Sequence, residues 1–132
     1  MNHALEISGL PMIIGEYHFG TVDRGLAQSL WQVNSQKERG DAFRYYTENA
    51  FAHRGLIGTG WFRWIDQNIH GRPDGENYNC GFIDVTDRPY PYMVDAAIEA
   101  AKSLYEIHSG TKTPFHQAPN AVGHSPIPDL WE

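Results

Sequence analysis

A chain of 132 residues, 41% hydrophobic and 20% charged, is the size of one globular domain and too apolar to be disordered. Ten Lys and Arg against sixteen Asp and Glu leave a formal charge of −6 with no basic run, so neither nucleic acid nor an anionic membrane is an expected partner. No stretch approaches the roughly 18 apolar residues of a membrane span, and the lone Cys80 excludes an internal disulfide or a multi-cysteine zinc site.

The first ten residues carry no periodic pattern and neither a basic nor an apolar signal region. The location is therefore open, and cytoplasmic if Met1 is the true start. Pro11-Met12-Ile13-Ile14-Gly15 is an apolar run without alternation, which predicts a strand buried on both faces, as in parallel sheets. It stops at Glu16, and a loop over 21–34 follows. Ser35 and Glu38 stand in the S-x-x-E capping-box pattern. Ala42, Phe43, Tyr46, Ala50 and His53 recur behind them at helical spacing, predicting a helix over 35–54 that Gly55 ends. Residues 56–64 read as a second strand. The polar, turn-rich stretch 65–79 is long for a connection, and such loops are commonly functional; a short strand is expected at 82–85. Met93, Ala96, Ala97, Ala100, Leu104 and Ile107 keep one helical face up to Gly110. Residues 1–110 are thus expected to form one module and 111–132, with four prolines and no periodicity, an extended tail. Strand, helix, strand, helix is the order of two βα units in an α/β sheet.

Glu16 is the first candidate for chemistry, because α/β folds place active sites at the C-terminal ends of their strands. Tyr17 and His18 are close enough in sequence to tune it. The competing reading is a rim ion pair with Arg24 or Arg63. Trp61 and Trp64 sit three apart, so alternation along a continuous strand sends them to opposite faces, one into the core and one free to act as a platform for a sugar ring. The alternative for both is core packing. The loop from Gly71 to Asn79 is rich in groups that could hydrogen-bond hydroxyls, Asp74, Glu76 and Asn77 among them; its competing reading is a solvated turn about Asp74-Gly75. Its carboxylates lack calcium-loop spacing, the seven histidines lack zinc-hydrolase spacing, and no phosphate- or dinucleotide-binding glycine motif occurs, so no metal and no cofactor is expected. Cys80 reads as a small buried apolar residue.

Read in order, Ile13 to Gly20, Asp23-Arg24-Gly25, Trp61 to Gln67, Gly71-Arg72, Asp74 to Tyr78 and Gly81 to Val85 resemble the C-terminal part of the catalytic barrel of β-agarases, glycoside hydrolase family 50. The resemblance covers residues 10–108 and implies the seventh and eighth βα units of a (β/α)8 barrel whose enzymes cleave β-linked galactan with retention. Glu16 matches the nucleophile, the Glu that ends the seventh strand; His18, Trp61, Trp64, Gln67, Asp74, Glu76 and Asn77 fall where sugar is expected to bind. The acid/base Glu of the family ends the fourth strand, which has no counterpart in these 132 residues. Retaining hydrolysis needs two carboxyl groups roughly 5–5.5 Å apart, so glycosidase activity requires an acid from another chain or from Asp66 or Glu76. Two parallel strands also leave open edges, which points to a partial barrel completed by self-association, with a homo-oligomer and an oligosaccharide or galactoside as partners. The alternative is a non-catalytic carbohydrate-binding or truncated fragment.

Overall fold

The computed structural model describes residues 2–123. A short helix α1 (Asn2–Ser8) leads into strand β1 (Met12–Tyr17), and a two-residue strand β2 (Trp31–Gln32) precedes helix α2 (Gln36–Ala52). Strand β3 (Leu56–Trp61), helix α3 (Pro91–His108) and a two-residue strand β4 (Val122–Gly123) complete the order. β1 and β3 pair in parallel with α2 as the crossover, a βαβ unit followed by the helix of a second unit, as the element order predicts. β2 and β4 pair antiparallel at the side, so the expected loop over 21–34 contains a strand.

The two long helices begin and end where local chemistry dictates. The Ser35 hydroxyl accepts the Glu38 N–H at 3.2 Å and caps α2. The Glu38 carboxylate does not return to Ser35; it accepts the Asn34 backbone and side-chain N–H groups, both at 2.9 Å. α2 stops at His53 in an extended conformation rather than at Gly55. Pro91 opens α3 at its first turn, where a missing N–H costs nothing. Gly110, at φ +80°, closes it: the Gly110 N–H reaches the Ile107 carbonyl and the Thr111 N–H the Glu106 carbonyl, at 3.0 and 2.9 Å.

The helices pack on one face of the strand pair. Phe43, Tyr90, Met93, Ala96 and Ala100 form one buried cluster, flanked by Phe51, Trp61 and Phe82; Phe19, Val33 and Ala42 form a second, flanked by Tyr17, Trp31 and Tyr46. The opposite face of the sheet is uncovered. Ile13 is 64% exposed and Gly15 is exposed, which corrects the expectation of a strand buried on both sides. The apolar run signalled a layer that these residues do not themselves supply.

Strand β3 ends at Trp61, three residues short of the predicted end, and the chain turns across a cis Phe62–Arg63 bond. The expected strand at 82–85 is reduced to isolated bridges of Ile83 with Ile65 and Pro89. The Asp84 carboxylate accepts the Thr86 and Arg88 N–H groups and draws this segment into a turn, leaving no run for a ladder. Residues 111–123 leave the end of α3, meet α2 at Phe115 and end in β4 against β2. On α2 the buried Glu48 carboxylate accepts the Phe115 N–H at 2.8 Å and Arg44 Nε at 2.7 Å. Residues 124–132, the rest of the expected tail, lie outside the described residues.

Candidate functional site

The parallel pair is irregular where the sequence pointed to chemistry. Ile14 pairs with Thr59 and Tyr17 with Trp61, so Gly15 and Glu16 together face the single residue Gly60. Such a two-against-one bulge bends a strand and re-aims a side chain. Gly60 permits it: a Cβ there would lie 2.6 Å from the Gly15 carbonyl oxygen. Tyr17 then points to the helices, stacking on Tyr46 at 4.3 Å between ring centres and hydrogen-bonding Thr47. Burial pushes its phenol up to about 12, so it stays protonated. Glu16, the residue before, is exposed at the C-terminal end of the pair, and its carboxylate meets no described partner. Neither Arg24 nor Arg63 pairs with it; Arg24 lies 3.9 Å from Asp23.

His18 follows on the same end, 7% exposed, with its ring between Phe62 and Tyr78 at 5.6 and 6.0 Å. The Leu30 N–H donates to Nε2 at 3.4 Å, which leaves the ring proton on Nδ1, a buried atom without an acceptor among the described residues. Burial is the main cause pulling the imidazole down to about 4, with Glu76 acting against it and Arg39 with it. The unfolded imidazole titrates near 6.5, so the unfolded state binds the extra proton between the two values and stability falls as pH drops from about 6.5 to about 4. His18 accounts for up to about 3 kcal/mol of that fall. Urea midpoints measured from pH 7 to pH 4 should decline less steeply in His18→Asn than in the parent chain; parallel profiles would remove the assignment.

The loop after β3 is built on its own hydrogen bonds. Gln67 is buried: its carbonyl accepts the Tyr78 N–H at 2.7 Å and its amide donates to Glu76 at 2.8 Å, so the whole side chain is occupied in holding the loop. Arg72 bridges Asp74 at 2.7 Å and Glu76 at 3.5 Å. The Asn77 carbonyl accepts the Ala27 N–H at 3.2 Å, tying this loop to the one after β1. The two tryptophans part company. Trp61 packs edge-on to Tyr17 and Phe43, and its indole N–H donates to the Cys80 carbonyl at 2.8 Å, which makes it a core residue. Trp64, beyond the strand end, is 69% exposed beside Phe82. Cys80 is fully buried, and burial raises its thiol to about 11.

A buried polar network under the site has no signature in the spacing of the sequence. Arg39, fully buried in α2, donates to the Phe19 and Gly81 carbonyls and to Gln36, at 3.0, 2.8 and 2.7 Å. Gln36 passes its amide to Asp23 and Asn79. Asn79 and the Tyr90 hydroxyl donate to Asp66, as does the Gly81 N–H at 2.7 Å. Burial lowers the guanidinium pKa of Arg39, and Asp66 is the first of the groups opposing that shift. Asp66 is therefore a buried acceptor with its lone pairs used, and it corrects the expectation that it could serve as an acid for substrate. Among the described residues no three His, Cys, Asp or Glu side chains are placed to hold a metal, and no helix is long and apolar enough to cross a membrane.

A βαβ frame with an exposed carboxylate, an exposed tryptophan and a hydrogen-bond-rich loop following its strands makes this a small α/β fragment. The chain is homologous to part of the β-agarases of glycoside hydrolase family 50. It is 43% identical over 103 residues to Beta-agarase A of Vibrio sp. (strain JT0107), a match of 76% of this chain and 10% of that one. Among solved structures, an exo-β-agarase superposes with a TM-score of 0.78 at 40% identity, over 82% of this chain and 15% of that one. The agarase AgWH50C superposes with a TM-score of 0.77 at 41% identity, over 80% and 17%. The chain thus spans about a tenth of the length of the curated relatives it matches. No family model matches it.

Proposed function

We propose that this chain is a module of an agarase-type glycoside hydrolase, acting on β-linked galactan or galactosides, with Glu16 as the nucleophile of a retaining mechanism. In this reading β1, α2, β3 and α3 are the seventh and eighth units of a (β/α)8 barrel, and residues 111–132 are a tail. The observation that carries it is the bulge at Gly15–Glu16. It turns an unpaired carboxylate onto the uncovered sheet face, at the strand end where barrels bind substrate, in a chain homologous to agarases. A second carboxyl group is required as proton donor. Asp66 is sealed in its network and Glu76 is held by Gln67 and Arg72, so the donor comes from elsewhere in the completed barrel. Trp64 is the residue best exposed to stack on a sugar ring, and Asp74, Glu76 and Asn77 of the polar loop and His18 are the further candidates for sugar contact. Trp61 and Gln67, both engaged internally, support these positions rather than touch sugar.

A non-catalytic carbohydrate-binding fragment is the second reading, favoured by the exposure of Trp64 beside carboxylates, Asp66 and Glu76, that are engaged internally. Both readings require sugar binding. Titration with neutral agaro-oligosaccharides should give a saturable change in tryptophan fluorescence, absent in Trp64→Ala, whose exposed site leaves folding intact. No response at millimolar oligosaccharide would remove both.

A further inference from the structure

We infer that the cavity between α3 and the helix-facing side of the β1–β3 pair is a binding site for a small planar apolar molecule, one or two aromatic rings in size. The cavity measures about 260 Å³. Protein interiors are packed as densely as organic crystals, and voids larger than a water are few. An apolar cavity of about 150 Å³ engineered into another protein stays dry and takes up benzene. The room here has a local origin: α3 presents the small side chains of Ala97 and Ala101 where the facing wall is aromatic. Tyr17, Phe51, Trp61 and Phe82 are left half-buried around it, although each packs against the core.

The lining decides the chemistry of the guest. Its polar side chains are already engaged. The Tyr17 hydroxyl bonds Thr47 and Thr59, and the Trp61 indole N–H donates to the Cys80 carbonyl at 2.8 Å. An ordered water needs roughly two to four polar partners, and a sugar would bury a ring of hydroxyls without them. A flat apolar molecule meets no such cost. Trp61 stands at 90° to Tyr17 and 69° to Phe43, with ring centres 5.3 and 5.4 Å apart. Phe43 meets Phe82 at 79° and 5.5 Å. Rings crossed in this way offer both faces and edges, the two surfaces that attract an aromatic guest. Entry is from the side: Phe51, Thr59 and Leu104 also line the groove beside β3, and Ala101 is exposed. Neither Glu16 nor Trp64 lines the cavity, so the inference stands whether or not the chain handles sugar.

Toluene is the probe. Titrated into the full chain, it should bind one to one by calorimetry and raise Tm by about 3–5 °C at roughly tenfold excess over its Kd. Ala97→Leu and Ala101→Leu, at half-buried and exposed positions of α3, keep a strong helix former there and should leave the circular dichroism unchanged. Each should weaken toluene binding about tenfold or more by filling the cavity or its mouth. Nuclear Overhauser contacts from toluene to the Trp61 and Phe82 rings locate the ligand in the parent chain, independently of any variant. No saturable binding, an affinity unchanged in both alanine variants, or contacts confined to other residues would overturn the proposal. Trp64→Ala should bind toluene as the parent does. Toluene binding without any response to agaro-oligosaccharides supports the cavity site and removes only the sugar readings.

Discussion

Hydrolysis of an activated aryl β-galactoside is expected to fall to background in Glu16→Gln. A retaining glycosidase forms a covalent glycosyl-enzyme intermediate on a carboxylate, and the neutral amide keeps the shape of Glu16 without its nucleophilic charge. The aryl substrate is chosen because its leaving group departs with little protonation. The general acid, typically worth ~10²–10⁴-fold, then matters least, and the nucleophile is read nearly alone. Glu16 is exposed and its carboxylate has no described partner, so the substitution should leave stability within about 0.5 kcal/mol. Activity and folding therefore separate in one variant. Undiminished turnover by Glu16→Gln would refute the assignment. Absence of turnover in the parent chain, with saturable sugar binding, would leave the binding module as the function.

Asp66→Ala should have the largest effect on stability. It strips the acceptor from Asn79, from the Tyr90 hydroxyl at 2.6 Å and from the Gly81 N–H at 2.7 Å. It also removes the carboxylate that opposes the desolvation of Arg39. Burial, and next the hydrogen bond to Asp66, hold the Tyr90 phenol well above its usual pKa, so it is a committed donor with no other acceptor among the described residues. Leaving buried donors unmade and a buried charge uncompensated costs about 3–5 kcal/mol, a large fraction of the ~5–15 kcal/mol typical of a domain. A fall in Tm of roughly 10–20 °C follows for a chain of this size. Because the network joins α2 to the loops after β1 and β3, the loop about Glu76 should loosen before the helices unfold, visible as early amide exchange at Tyr78 and Asn79. A variant as stable as the parent would show that the network contributes nothing net.

Spacing alone located α2 and α3, because a helix buries one stripe of residues and the stripe repeats along the chain. Ser35, Gly110 and the run at Met93, Ala96 and Ala100 are local signals read without knowing the partner layer. Glu16 was legible for a related reason: a charge that ends an apolar run marks a strand end. The strand boundaries were less secure. Residues 62–64 continue the aromatic run of β3 yet leave the sheet, since apolar residues also line loops that pack on a core.

What the sequence determined by itself is the order of the two strands and two long helices, the stop of α3 at Gly110 and a carboxylate near the end of β1. The tertiary structure alone decided which of two similar tryptophans is core and which is surface. It also turned Asp66 from a candidate acid into a buried acceptor and showed Gln67 holding Tyr78 and Glu76. It revealed the bulge that aims Glu16, because register depends on how two strands meet across α2. The buried network is the extreme case. Gln36, Arg39, Asp66, Asn79 and Tyr90 are ordinary polar residues scattered over 55 positions. Their chemistry arises only when the fold excludes water from around them and leaves them to one another and to nearby backbone groups.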